Sequence, residues 1–221
     1  MDVGIFGGTF DPVHHGHLKS ALAVKEALEL DQIVIMPNRM PYYKDRVGTS
    51  DADRLAMLKL ATQDLNGVKI STWELEKTTY SYTFDNMVAL TKEQPQNRLV
   101  FIMGTDSFLK LHTWYRGLEL LSVTNIAVMK RPQNLSTAAL DKANFLAKLP
   151  APLQPLFKQA LSSNHHLSAS TGELFMIDNP ETDISSTELR HLLTQKRYVE
   201  ATNFMDPKVI SYIKDHELYS A

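Results

Sequence analysis

The chain has 221 residues, 43% of them hydrophobic, with 25 acidic against 23 basic side chains and a formal net charge of −2. That is enough apolar material for one sizeable core, and the charge balance gives no overall pull toward nucleic acid or an anionic membrane. There is no cysteine, which removes disulfides and thiolate chemistry, and no apolar run reaches membrane-spanning length. The first strand starts almost at Met1 with no charged and apolar leader before it, so the expected location is the cytoplasm.

In chain order, short apolar runs of strand character fall at Val3 to Phe6, Ile33 to Met36, Leu99 to Met103 and Ile126 to Met129, with weaker candidates at Val68 to Ser71 and Leu174 to Ile177. Helical patterns lie between them. The first runs from about Gly16 to Glu29 with Leu18, Ala21 and Leu22 on one face, and the second from Asp53 to Leu65 with Leu55, Leu58 and Ala61. Strands alternating with helices of this length predict an α/β fold, a Rossmann-like parallel sheet with helices on both faces. We expect a single domain over 1–221, with a helical insertion at about 133–170 and a small C-terminal helical part at about 185–221. In such sheets ligands sit beyond the carboxyl ends of the strands.

Chemistry concentrates after the first strand, in Gly7-Gly8-Thr9-Phe10-Asp11-Pro12 followed by His14-His15-Gly16-His17. Glycines at a strand end permit a tight turn and close approach of a ligand, and the helix that follows offers unpaired amides and a positive dipole end. Two imidazoles three residues apart add side-chain donors. The order reads as a phosphate site, though it has neither the Gly-Lys-Ser/Thr ending of a P-loop nor dinucleotide-fold spacing. Read alone, the glycines could simply turn a corner. A zinc site lacks a third ligand nearby in sequence.

A second helix start follows at Ile184-Ser185-Ser186-Thr187-Glu188-Leu189-Arg190, where Ser185 and Glu188 have capping-box spacing. Alone, this is better read as only a cap. Taken alone, Trp114 is better read as core packing and Asp106 as a helix cap.

Together these segments resemble the nucleotidyltransferase superfamily that attaches a nucleotide to a phosphate-bearing acceptor and shares its His-x-Gly-His motif with class I aminoacyl-tRNA synthetases. Ile-Ser-Ser-Thr-x-x-Arg resembles its second motif. Within it, Pro37-Asn38-Arg39-Met40-Pro41, Tyr80-Ser81-Tyr82-Thr83, Gly104-Thr105-Asp106-Ser107 and Thr113-Trp114-Tyr115 are similar to the bacterial nicotinate-nucleotide adenylyltransferase family. The resemblance implies transfer of AMP from ATP to nicotinate mononucleotide, with Mg²⁺ carried by ATP. It implies His14, His17, Lys44 and Arg190 as catalytic residues. ATP contacts would come from Gly7, Gly8, Thr9, Phe10, Gly16, Asp106, Arg131, Ile184, Ser185 and Thr187, and nicotinate mononucleotide contacts from Asn38, Thr83, Trp114 and Tyr115. The family commonly carries Pro-Pro-His-Lys or Pro-Pro-His-Arg where this chain has Pro41-Tyr42-Tyr43-Lys44, so Lys44 and Arg46 would supply the positive charge there. A pantetheine-phosphate adenylyltransferase, an adenylyltransferase using nicotinamide mononucleotide, a class I synthetase relative and a non-catalytic nucleotide-binding module are the competing readings.

Overall fold

The computed structural model describes residues 1–39, 49–78, 81–129, 142–161, 166–178 and 184–220. In chain order these form β1 (Asp2–Gly8), α1 (His15–Ala27), β2 (Gln32–Pro37), α2 (Asp51–Thr62), β3 (Val68–Ile70), α3 (Thr83–Glu93), β4 (Arg98–Gly104), α4 (Thr105–Leu109), β5 (Asn125–Met129), α5 (Lys142–Lys148), α6 (Leu153–Ala160), β6 (Leu174–Ile177), α7 (Ser186–Thr194), α8 (Tyr198–Ala201) and α9 (Pro207–Asp215). Two 3-10 turns span Leu111–Thr113 and Gly117–Ser122. The strands take the order β3-β2-β1-β4-β5-β6, and β1, β4, β5 and β6 pair in parallel. All six apolar runs read from the sequence are strands, and the expected α/β Rossmann-like arrangement is what the chain adopts. Among the described residues no helix is long and apolar enough to cross a membrane.

The chain divides into two compact units, one of Met1–Phe6, Ala21–Ile33 and Ser81–Asn179, the other of Gly7–Ser20, Val34–Tyr80 and Pro180–Ala221. In the first, every residue of β5 is buried, as a parallel strand covered on both faces requires. Its one amide side chain is fully bonded. Asn125 donates through Nδ2 to the carbonyls of Ala169 and Ser170, both at 3.1 Å, and accepts the Glu173 amide at 2.9 Å. Burying a polar side chain without such partners would be costly, so these bonds fix the chain entering β6 against β5.

In the second unit α2 opens on a capping box, Ser50 accepting the Asp53 amide and the Asp53 carboxylate accepting the Ser50 amide. The buried face of α2 is Arg54, Met57, Leu58 and Thr62. This corrects the stripe expected from Leu55, Leu58 and Ala61. A capped start at Asp51 and three backbone and carboxylate acceptors for Arg54 turn that arginine inward, and Leu55 and Ala61 are left half-exposed. α9 packs on α2 through Tyr212 Oη donating to Asp53 at 2.9 Å and Lys208 paired with Asp64 at 2.8 Å.

Three helices end in the same way without glycine. Glu29, Lys196 and Glu217 take left-handed φ values of 52°, 56° and 50°. Each follows a helix whose last carbonyls are closed by paired bonds, Arg197 amide to Leu192 oxygen and Lys196 amide to Leu193 oxygen after α7. A side chain in that region carries a local cost that glycine does not. Lys196→Gly is therefore expected to raise stability by about 0.5–1 kcal/mol, read as a higher denaturant midpoint at unchanged slope. A lower midpoint would show that Lys196 makes a compensating interaction.

Candidate active site

Gly7 and Gly8 are the last residues of β1, and neither has a positive φ. The left-handed turn after the strand is made by Phe10, at φ 51°, with its ring buried. A Cβ on Gly8 would lie 2.9 Å from that ring, so glycine is needed there to let Phe10 fold back over the strand end. Phe10 in turn meets the His17 ring edge to face, centroids 5.1 Å apart. The expected tight turn is present, but its residue is Phe10 and the glycine makes room for it.

His14 precedes the first turn of α1 and His17 occupies its third position. The His14 amide donates to His17 Nδ1 at 3.3 Å, and the two rings lie 3.7 Å apart between centroids. This is half of a capping box with an imidazole in the acceptor role. An Nδ1 that accepts a hydrogen bond leaves the proton of the neutral ring on Nε2, which makes that nitrogen the donor. The first turn of α1 contains no carboxylate. Gly16 lies in that turn, where amides lack intrahelical acceptors.

The second motif docks on the first. Ser185 caps α7 and forms a complete box with Glu188, as the spacing predicts. Ser186 Oγ donates to the Pro12 carbonyl at 3.1 Å, and Arg190 donates through Nη1 to the Asp11 carbonyl at 2.6 Å and through Nη2 to Thr187 Oγ at 3.0 Å. A groove of about 730 Å³ runs along α7, lined by Ile184, Thr187, Arg190 and His191 among others. Two helix starts, one carrying imidazoles and the other hydroxyls and a guanidinium, offer hydrogen-bond donors and positive dipole ends of the kind that anions favour.

Sequence reading passed over Arg54. Its side chain has no exposure and donates to the Thr9 carbonyl at 2.6 Å, the Asn38 carbonyl at 2.5 Å and Asp51 at 2.6 Å. The Asn38 amide also donates to the Gly8 carbonyl at 2.8 Å. Thr9 and Asn38, predicted for ATP and acceptor contact, are thus tied to one guanidinium. Lys44, Arg131, and Tyr43 and Arg46 beside the former lie outside the described residues.

In the other unit, Thr83 is the first residue of α3 and the Trp114-Tyr115 pair sits in a turn between the two 3-10 segments. Contacts on either side of Thr83 join them. The Tyr82 and Tyr115 rings lie 4.5 Å apart and are 44% and 50% exposed, while Arg116 stacks over the Phe84 ring at 3.9 Å. Trp114 is half-buried, edge-on to Phe101 at 6.4 Å. Gly117 closes this turn. A Cβ there would stand 2.0 Å from the Leu111 carbonyl oxygen, so no other residue fits. Asp106 is in the first turn of α4 beyond the end of β4 and is exposed; the cap position belongs to Gly104.

The sheet, the strand-end loop and the paired helix starts define a nucleotidyltransferase architecture, and residues 5–192 match the family model described as Cytidylyltransferase-like. The chain is 38% identical, over 99% of its length and all of the relative's, to a protein of Shewanella frigidimarina named "Probable nicotinate-nucleotide adenylyltransferase". A Shewanella sp. (strain ANA-3) protein of the same name is 34% identical over 99% of both chains. The Plasmodium falciparum nicotinic acid mononucleotide adenylyltransferase complexed with NaAD superposes with a TM-score of 0.72 at 19% identity, covering 99% of this chain and 97% of that one, and so shares the fold. The chain belongs to the nicotinate-nucleotide adenylyltransferase family.

The Ser185 hydroxyl first, then the Ser185 amide, hold the Glu188 carboxyl below its ordinary value of 4.5. A carboxyl depressed on folding adds stability above its unfolded value and loses it as pH falls through the folded one. Glu188→Gln should therefore melt below the parent protein near neutral pH, and the gap should close as the pH is taken below 4.5 toward the folded value. A gap constant across that range in thermal scans would rule out the charge as the source.

Proposed function

We propose that this chain transfers AMP from ATP to nicotinate mononucleotide, forming nicotinate adenine dinucleotide and pyrophosphate, a step in NAD biosynthesis. Full-length similarity to proteins of that name carries the reading. The docking of Ser186 and Arg190 on the Asp11-Pro12 carbonyls supports it from within this molecule.

In this reading an oxygen of the 5′-phosphate attacks the α-phosphorus, the bond from that phosphorus to the bridging oxygen breaks, and pyrophosphate departs with the electron pair. The attacking phosphate is already ionised near neutral pH, so no protein base or nucleophile is needed. Catalysis rests on alignment and on donors aimed at charge that grows in the transition state. His17 donates from Nε2, held there by the His14 amide. His14, Gly7, Gly8, Thr9, Phe10, Gly16 and the α7 start at Ile184, Ser185 and Thr187 surround the ATP phosphates, with Arg190 adding charge through the guanidinium protons left over from its two bonds. Lys44 and Arg131 contribute further charge in this scheme.

Trp114 gives the pyridine ring a stacking surface, and Thr83 Oγ with an amide near Tyr115 meets its carboxylate, which favours the acid over the amide. Asn38 adds an acceptor contact and Asp106 takes ribose hydroxyls. Mg²⁺ enters as the Mg-ATP substrate, coordinated by phosphate oxygens and water.

The test is pyrophosphate release from Mg-ATP with nicotinate mononucleotide, nicotinamide mononucleotide and phosphopantetheine offered separately. Nicotinate mononucleotide should be preferred, and release only with phosphopantetheine, or none with any acceptor, would overturn the reading. His17→Ala should lower kcat by about 10²–10³-fold while KM for ATP stays within about threefold, because its contact strengthens as charge develops. Unchanged kcat would remove His17 from the chemistry.

A further inference from the structure

The last turn of the chain reaches back to the first phosphate loop. α9 ends in the same paired closure as α7, the Leu218 amide bonding to the Ile213 carbonyl at 2.9 Å and the Glu217 amide to the Lys214 carbonyl at 3.2 Å. Glu217 and Tyr219 both stand in the left-handed region, at φ 50° and 59°. A bulky side chain held there near a chain terminus is unfavourable in isolation and persists where tertiary contacts determine it. The contact is specific. Tyr219 Oη donates to Asp11 Oδ1 at 2.6 Å, across a sequence separation of 208 residues.

Asp11 is the point at which three elements meet. Thr49 Oγ also donates to its carboxylate, and lies 3.5 Å from Tyr219 Oη. Its backbone carbonyl accepts Arg190 Nη1 at 2.6 Å. Burial first, then the charge of Asp11 and the hydrogen bond to it, push the Tyr219 phenol above its ordinary value, so it stays a proton donor across the physiological range. A carboxylate held by two hydroxyls fixes the orientation of its own residue, and with it the carbonyl that seats Arg190.

We propose that Tyr219 is a positioning residue for triphosphate binding, acting through Asp11 to set the guanidinium of Arg190. The C-terminal turn is then part of the ATP half of the site without touching ATP. This rests on the adenylyl-transfer reading above for its kinetic readout, and on Asp11 and Arg190 alone for its geometry.

The experiment is a double-mutant cycle between Tyr219→Phe and Arg190→Lys, with KM for Mg-ATP and for nicotinate mononucleotide, kcat and melting temperature measured for each protein. Tyr219→Phe keeps the ring and removes one hydroxyl, and should raise KM for Mg-ATP about fivefold, in keeping with loss of one charge-assisted hydrogen bond acting at second hand. KM for nicotinate mononucleotide should stay within about twofold, and in the Arg190→Lys background the Tyr219→Phe effect should shrink toward one, as coupling through a shared partner demands. An unchanged KM for Mg-ATP would overturn the proposal, as would equal rises in both KM values alongside a fall in melting temperature. So would an effect of the same size in both backgrounds. If the parent protein releases no pyrophosphate with nicotinate mononucleotide, the adenylyl-transfer reading fails by itself. The latch is then judged by equilibrium binding of a non-hydrolysable ATP analogue, which Tyr219→Phe should weaken by a similar factor and which, if unchanged, refutes it.

Discussion

A single buried cation organises the chain segments that follow β1 and β2. Arg54 has no solvent exposure, and moving a guanidinium out of water is tolerated only where its protons find acceptors. It finds three, on Asp51 one turn back along its own helix and on the carbonyls of Thr9 and Asn38 at the ends of β1 and β2. The geometry has a second effect. Because a trans peptide sets each carbonyl opposite the amide that follows it, turning the Thr9 oxygen toward Arg54 turns the Phe10 N–H the other way, and turning the Asn38 oxygen does the same for Arg39. The two carbonyl oxygens, which would repel an anion, are thereby turned toward the buried guanidinium.

The same economy of carbonyls appears at the second helix start. Asp11 and Pro12 offer their oxygens to Arg190 and Ser186, so the acceptors of the first loop are consumed by donors from α7. The one carboxylate in the first turn of α7, Glu188, is turned back onto the Ser185 amide by its capping box, and α1 has none in its first turn. What remains at both N-termini is the positive end of the helix dipole with hydroxyl, imidazole and guanidinium donors around it.

These features differ in how far the sequence reveals them. The six strands were readable because each is a short apolar run bounded by polar or turn residues, and the Ser185–Glu188 box because its spacing is local. Arg54 was not, since an arginine within an amphipathic pattern reads as a surface residue until the fold supplies the carbonyls of residues 45 and 16 positions away. The same limit hid Tyr219, whose partner lies near the opposite end of the chain. Phe10 shows a different kind of failure. The motif contains two glycines, and conformational freedom pointed to them as the turn. The left-handed residue is the phenylalanine, held there by packing against His17 and by the space Gly8 leaves for its ring.

The turn that carries Trp114 and Tyr115 obeys a separate constraint, set by backbone more than by charge. Gly117 must be glycine because the Leu111 carbonyl occupies the volume of any Cβ, and Arg116 beside it is forced into the left-handed region at φ 51°. The cost of that conformation is offset by the stacking of Arg116 on Phe84 and its pairing with Glu119 at 2.5 Å. The Trp114-Tyr115 pair is therefore carried on a turn whose shape is fixed from behind, by residues that need not touch a substrate. The two units are thus held by different means, buried hydrogen bonds from guanidinium and hydroxyl groups in one and a tightly closed aromatic turn in the other.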